Sequence, residues 1–277
     1  MNFFPSISNF FEKKSESGKA GVFHENILFP IDYKFTKFSD KLVVFYPGAF
    51  DKKKLMPSFQ RSSYFKFLPY NCLSLFDPTL FLSDDENFSI GWFQGNTENF
   101  YANTCSDLIR NLTNLMGINS ENVLLFATSA GGIPAIKTAD KIQGCNVFLG
   151  NIQTNVFGYF EKHVQKMMGI CYEGESLQSI KNKYYERLSI ENSLINSKVF
   201  YAQNISDKFH YDRFFSPYIK NCKIIRGGEL QAVVYDDAKS GHSPLHRDYE
   251  IEIIESIFNG KGFFSVYEGF LKNTYSF

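Results

Sequence analysis

The sequence predicts an α/β protein: a mostly parallel central sheet, helices on both of its faces and a helical cap insertion. Three observations carry that expectation. Short apolar runs ended by Gly, Pro, Asn or Asp recur along the chain, amphipathic stretches separate them, and one long stretch breaks the alternation. The runs place strands at 42–46, 72–76, 123–127, 145–149, 198–202 and 231–235. Over 99–116, Phe100, Cys105, Leu108, Ile109, Leu112, Leu115 and Met116 mostly share one helical face, with Gly117 as the stop. A further helix is expected over 245–258. The segment 156–188, rich in long side chains and interrupted around Gly169 and Gly174, is the expected cap within a single domain spanning 1–277.

Composition bounds the rest. A chain of 277 residues with 44% hydrophobic content buries a sizeable core, and folds of this class commonly stay one domain at that length. Lys plus Arg and Asp plus Glu both total 29, and the only basic run is Lys52 to Lys54, so no nucleic-acid partner is expected. With 31 Phe and 16 Tyr, some aromatics are left to line a ligand pocket or cover a contact in a homo-oligomer. The N-terminus lacks a basic region followed by a long apolar stretch, and no segment has the ~18 uninterrupted apolar residues of a membrane span, so a cytoplasmic protein is expected. Its five scattered cysteines form neither a CxxC pair nor a zinc spacing; they read as reduced thiols, and no metal is expected.

The most informative run is Val123 to Gly132, an apolar strand that breaks at Thr128-Ser129-Ala130-Gly131-Gly132 and becomes a helix. It reads as a nucleophile elbow, a strained turn that exposes the serine hydroxyl and needs small residues two before and two after, here Ala127 and Gly131. The alternative is an ordinary strand-turn-helix in which Ser129 caps the helix. A nucleophilic serine needs a base, and the base a carboxylate that fixes its tautomer. His242 lies in Ser240-Gly241-His242-Ser243-Pro244 after the strand at 231–235, and Asp207 ends Asn204-Ile205-Ser206-Asp207 after the strand at 198–202. Ser129, Asp207 and His242 thus follow in order, each at or beyond the C-terminal end of a strand, where open α/β sheets collect reactive groups. Asp212 is the rival acid, set further into the next helix.

These three positions resemble the triad of α/β-hydrolase-fold proteins, a likeness that runs through most of the chain. In such a site the Ala130 N–H is one oxyanion donor, and the loop after the first strand, Pro47-Gly48-Ala49-Phe50, should supply the other. Gly48 permits a close approach, and the N–H of Ala49 or Phe50 is the expected donor. Gln153 and Thr154, beyond the strand at 145–149, are placed to bind a hydroxylated substrate, with helix capping as the alternative for Thr154. Trp92 is a candidate sugar platform or a core residue. His210 lies beside the acid, and His246 falls one turn beyond His242 if the helix has begun.

A closer resemblance rests on Ser129-Ala130-Gly131-Gly132, Asn151-Ile152-Gln153-Thr154, Ser206 to Tyr211, and Gly241-His242 followed by His246 and Tyr249. It is to proteins of bacterial capsule and surface-polysaccharide synthesis, including serine-dependent capsule O-acetyltransferases. The resemblance implies acetyl transfer from acetyl-CoA, as co-substrate rather than bound cofactor, to a saccharide or polysaccharide acceptor through an acetyl-Ser129 intermediate. No nucleotide-binding glycine fingerprint is present, and CoA requires none. An esterase or thioesterase, with water as acceptor, is the first alternative; a non-catalytic assembly component is the second.

Overall fold

A computed structural model of the protein describes all residues except 52, 226, 262, 270 and 277. Lys52 of the basic run therefore lies outside the described residues; Lys53 and Lys54 are exposed. The strands are β1 (Asn2–Phe4), β2 (Ser17–His24), β3 (Ile27–Lys34), β4 (Leu42–Tyr46), β5 (Asn71–Leu75), β6 (Val123–Thr128), β7 (Asn146–Gly150), β8 (Leu194–Ile195), β9 (Lys198–Asn204), β10 (Lys223–Ile224), β11 (Glu229–Tyr235) and β12 (Leu271–Ser276). The helices are α1 (Ile7–Lys13), α2 (Tyr101–Met116), α3 (Gly132–Lys141), α4 (Glu161–Cys171), α5 (Leu177–Lys183), α6 (Tyr185–Leu188), α7 (Lys208–His210), α8 (Ser216–Asn221) and α9 (Arg247–Phe258).

Ten strands form one sheet in the order β1-β2-β3-β5-β4-β6-β7-β9-β11-β12, while β8 and β10 pair separately. From β5 through β11 every pairing is parallel. The antiparallel pairs lie outside that block, at β2-β3, β3-β5 and β11-β12. Because the central strands run the same way, the loops after β4, β6, β7, β9 and β11 emerge on one edge, where Ser129, Asp207 and His242 lie.

The central strands read as unbroken apolar runs because both faces are covered. Along β6, Val123, Leu125 and Ala127 join a core with α2 and α3, while Leu124 and Phe126 join a second core with Ile253, Ile254 and Ile257 of α9. The helix expected over 99–116 forms from Tyr101, and Gly117 ends it in the left-handed conformation at φ 65°.

The N-terminal hairpin was not anticipated by the strand pattern. Strands β2 and β3 are joined through Glu25 and Asn26, both at positive φ (48° and 62°), as a two-residue hairpin turn of the primed type demands. The segment 156–188 holds α4, α5 and α6, and so is helical. Among the described residues no helix is long and apolar enough to cross a membrane.

Candidate active site

The turn after β6 puts Ser129 at φ 53°, left-handed for a residue with a Cβ. The small neighbours have a steric reason. A Cβ on Gly131 would stand 3.0 Å from the Tyr46 Cβ and from the Pro47 carbonyl oxygen, and one on Gly48 would stand 3.4 Å from the Ser129 Cβ. Thr128, not Ser129, is the N-cap residue of the turn, and the Ser129 hydroxyl meets partners from two other loops.

The His242 Nε2 lies 3.1 Å from Ser129 Oγ, and the His242 Nδ1 lies 2.7 Å from Asp207 Oδ2. A carboxylate only accepts, so Nδ1 carries the proton and Nε2 offers its lone pair to the serine hydroxyl. Asp207 rather than Asp212 faces the imidazole; Asp212 is exposed in the following helical segment, the π-helix Tyr211–Phe215. A second imidazole also uses Asp207: His210 Nδ1 is 3.0 Å from Oδ1, and its ring stacks on His242 at 3.9 Å with 17° between planes. Burial alone would raise the Asp207 carboxyl. The hydrogen bonds and charges of His210 and His242 outweigh it and hold that carboxyl well below the usual range. Desolvation lowers the His210 imidazole, outweighing the Asp207 carboxylate that would raise it.

The histidine loop is itself tied down. Asn204, at the end of β9, donates to the carbonyls of Asp237 (2.7 Å) and Gly241 (2.8 Å) and accepts from the Asp237 N–H (3.0 Å). Its own N–H donates to Asn151 Oδ1 at 2.7 Å, which joins the ends of β7 and β9. Beneath the elbow, the buried Arg61 pairs with Glu250 and donates to the Thr128 hydroxyl at 3.1 Å. The sequence analysis does not single out Arg61 or Glu250, because a buried ion pair leaves no local pattern when its partners are remote; Asn151 lies at the sheet edge expected for it but binds Asn204.

The expected oxyanion loop is present, but two of its donors are spent. The Phe50 N–H donates to the Ser89 carbonyl at 2.8 Å and the Gly48 N–H to Gln60 Oε1 at 3.0 Å, while Gln60 Nε2 donates to the Ala49 carbonyl at 2.9 Å. This corrects the expectation for Phe50 as a donor, and the Gly48 N–H is likewise engaged. Ala49, exposed and bracketed by that clamp, and Ala130, at the start of the helical turn, are the remaining backbone donors of the set.

The residues expected to bind substrate separate. Gln153 reaches the site, with Nε2 3.2 Å from Ser129 Oγ. Thr154 is fully buried and donates to the Phe214 carbonyl, so it ties loops together. Trp92 is 1% exposed and donates its indole N–H to Gln153 Oε1 at 2.6 Å; it is a core residue and not a sugar platform. His246 precedes α9 instead of lying within it, caps the Asp248 N–H and is exposed, which corrects its expected place one turn beyond His242.

Among the described residues, Asp207, His210 and His242 form the only group with metal-ligand chemistry, their ligand atoms lying within 4.8 Å of one another. Both imidazoles already use that carboxylate through Nδ1, while the buried His210 Nε2 has no hydrogen-bond partner among the described residues. A cleft of about 770 Å³ lined by Ser83, Asp85, Lys162 and Lys166 contains neither Ser129 nor His242.

Asp77 supports the site from behind. It accepts from the N–H groups of Thr79 (2.9 Å) and Phe93 (3.0 Å), and so fixes the loop that carries Trp92. Burial outweighs these bonds and pushes its carboxyl up to about 6. A carboxyl raised in the folded state adds stability below its unfolded value, near 4, and loses it as pH rises through about 6, a difference of roughly 3 kcal/mol. Urea denaturation at pH 4.5 and 7.5 should therefore show wild type losing stability relative to Asp77→Asn as pH rises. A difference independent of pH would refute this.

No protein-family model matches the chain, and no curated protein sequence matches it. Solved structures do. The capsule O-acetyltransferase of Neisseria meningitidis serogroup A matches at TM-score 0.57 and 14% identity, over 87% of this chain and 98% of that one. A mutant of that enzyme in complex with CoA matches at 0.57 and 16%, over 82% and 91%. The Francisella virulence factor BioJ matches at 0.52 and 13%, over 92% and 89%. With its parallel sheet, the serine elbow after β6 and the histidine loop after β11, this chain has the α/β-hydrolase fold.

Proposed function

We propose that this chain is a serine-dependent O-acetyltransferase that carries an acetyl group from acetyl-CoA to a hydroxyl of a bacterial capsule or surface polysaccharide. The observation that carries the acyl-transfer part is the unbroken relay from Ser129 Oγ through His242 to Asp207 on a strained elbow. The donor and acceptor are suggested by the likeness to the meningococcal enzyme and to its mutant in complex with CoA.

In the first step Ser129 Oγ attacks the thioester carbonyl and its proton passes to His242 Nε2. The oxyanion is held by the Ala130 N–H with the Ala49 N–H; the C–S bond then breaks and the proton leaves with CoA thiol. In the second step a sugar hydroxyl takes the place of CoA, gives its proton to His242 and attacks the acetyl carbon. The C–Oγ bond breaks and the proton returns to Ser129. His210, stacked on His242 and bonded to the same carboxylate, keeps the ring in plane for both steps.

The segment 156–188 acts as the cap in this reading. Its Tyr159 packs against Trp92 and His210, and its half-exposed Phe160 stacks on Phe209 at 4.3 Å. One observation favours hydrolysis as the second reading: the His242 side chain is 38% exposed, so water reaches the base. Intact mass after incubation with acetyl-CoA separates the two. A Ser129-dependent acetyl adduct that is discharged onto polysaccharide fragments supports transfer. Ser129-dependent cleavage of simple acetyl esters, with nothing passed to sugar, would favour the esterase.

A further inference from the structure

We infer that Gln153 is a catalytic residue, its carboxamide N–H aiming the Ser129 hydroxyl at His242 and steadying Oγ when it leaves, and that Trp92 is the positioning residue that fixes the orientation of that amide. The inference deepens the acyl-transfer reading and rests on it.

Gln153 is fully buried and grips Ser129 twice: its backbone N–H donates to the Ser129 carbonyl at 3.1 Å, and its Nε2 donates to Oγ at 3.2 Å. An amide can be turned end for end, but here chemistry settles the direction. The indole N–H of Trp92 can only donate, and it lies 2.6 Å from the Gln153 oxygen, so the NH2 end must face the serine. With one lone pair of Oγ taken by Gln153, the single hydroxyl proton is left to point at the His242 Nε2, 3.1 Å away. Both ends of the amide are engaged within the protein, the oxygen by Trp92 and the NH2 by Ser129.

The loop behind this contact is built to hold it. Trp92 and Phe93 both sit at positive φ (49° and 54°), an unfavourable conformation for bulky residues that persists only when the surroundings enforce it. Asp77 accepts the Phe93 N–H. Gln94 donates to the Arg187 carbonyl at 2.9 Å and accepts from the Tyr172 hydroxyl at 2.7 Å, anchoring the loop to the segment 156–188. When the acyl-enzyme is opened, the C–Oγ bond breaks and negative charge gathers on Oγ as His242 returns the proton. A fixed N–H there stabilises that charge without reorganisation.

The test uses the 277-residue chain and a fluorophosphonate probe as well as acetyl-CoA turnover. In the probe reaction an Oγ–P bond forms, P–F breaks and fluoride leaves, with the proton taken by His242, so the rate reports Ser129 reactivity whatever the natural acceptor. Gln153→Ala should slow both labelling and turnover about 10- to 100-fold, with deacetylation slowed more than acetylation, while urea denaturation confirms a folded protein. Trp92→Phe should slow labelling several-fold in wild type and add nothing in the Gln153→Ala background. Gln153→Glu should recover towards wild type as pH falls, because only the protonated acid can accept from Trp92 and donate to Oγ. Folded Gln153→Ala labelled at the wild-type rate, or effects of the two substitutions that simply add, would overturn the inference. Labelling of wild-type Ser129 without acetyl transfer would refute the transfer reading alone; absence of labelling would remove both.

Discussion

Ser129→Ala should lower turnover by at least about 10⁴-fold while leaving the protein folded. The size follows from what the substitution removes and what it leaves. Oγ is the atom that both His242 and Gln153 address, so without it the relay to Asp207 has no nucleophile to activate. The backbone donors and the pocket remain, and they sustain only the residual rate that binding and oxyanion stabilisation provide. Stability should change by less than about 1 kcal/mol, since alanine keeps the Cβ that already occupies the left-handed turn and the lost hydrogen bonds are partly exposed. Acetyl-CoA turnover and intact mass on the same preparations check both halves. A variant that kept a tenth of the wild-type rate, or still gained the acetyl group at wild-type yield, would end the proposed mechanism.

What the sequence made legible was whatever depends on neighbours in the chain or on strand order. The elbow could be read because its geometry demands small residues at 127 and 131, which stand beside the serine in sequence. The parallel block could be read because strands buried on both faces become continuous apolar runs, as in Val123 to Ala127. The edges could not. Strand β2 carries Gly18 and Gly21, β3 carries Pro30, and their turn is Glu25-Asn26 without glycine, so the usual hairpin signals are missing. The site's supports were hidden for another reason. Whether the Phe50 N–H is free depends on Ser89, whether Gly48 is free depends on Gln60, and the role of Trp92 is set by Gln153, 61 residues away. His246 was misplaced by a single residue, because α9 begins at Arg247 and helix starts are the least certain boundaries to read.

The largest loss of stability is expected at Arg61 and Glu250, residues 189 positions apart that no local pattern joins. The Arg61 Nε and Nη2 each lie 2.8 Å from a Glu250 oxygen, Nη2 also donates to Thr128, and the Tyr64 hydroxyl donates to Glu250 at 2.8 Å. Desolvation and the adjacent carboxylate both push the Tyr64 hydroxyl up, so it remains a donor. Arg61→Met would leave the Glu250 carboxylate buried without its cation, and Glu250→Leu would strand the guanidinium; each should cost about 3–5 kcal/mol. Many domains have only 5–15 kcal/mol in all, so either variant approaches the threshold of folding. The double variant should recover much of the loss, because two apolar side chains leave no buried charge. Activity should fall further than stability alone explains in the single variants, since Thr128 immediately precedes the nucleophile and Glu250 lies on the helix that follows the His242 loop. Urea denaturation of the two single variants and the double variant gives the coupling directly. If the double variant lost the sum of the two, the pair would not act as a unit, and its link between elbow and histidine loop would have to be abandoned.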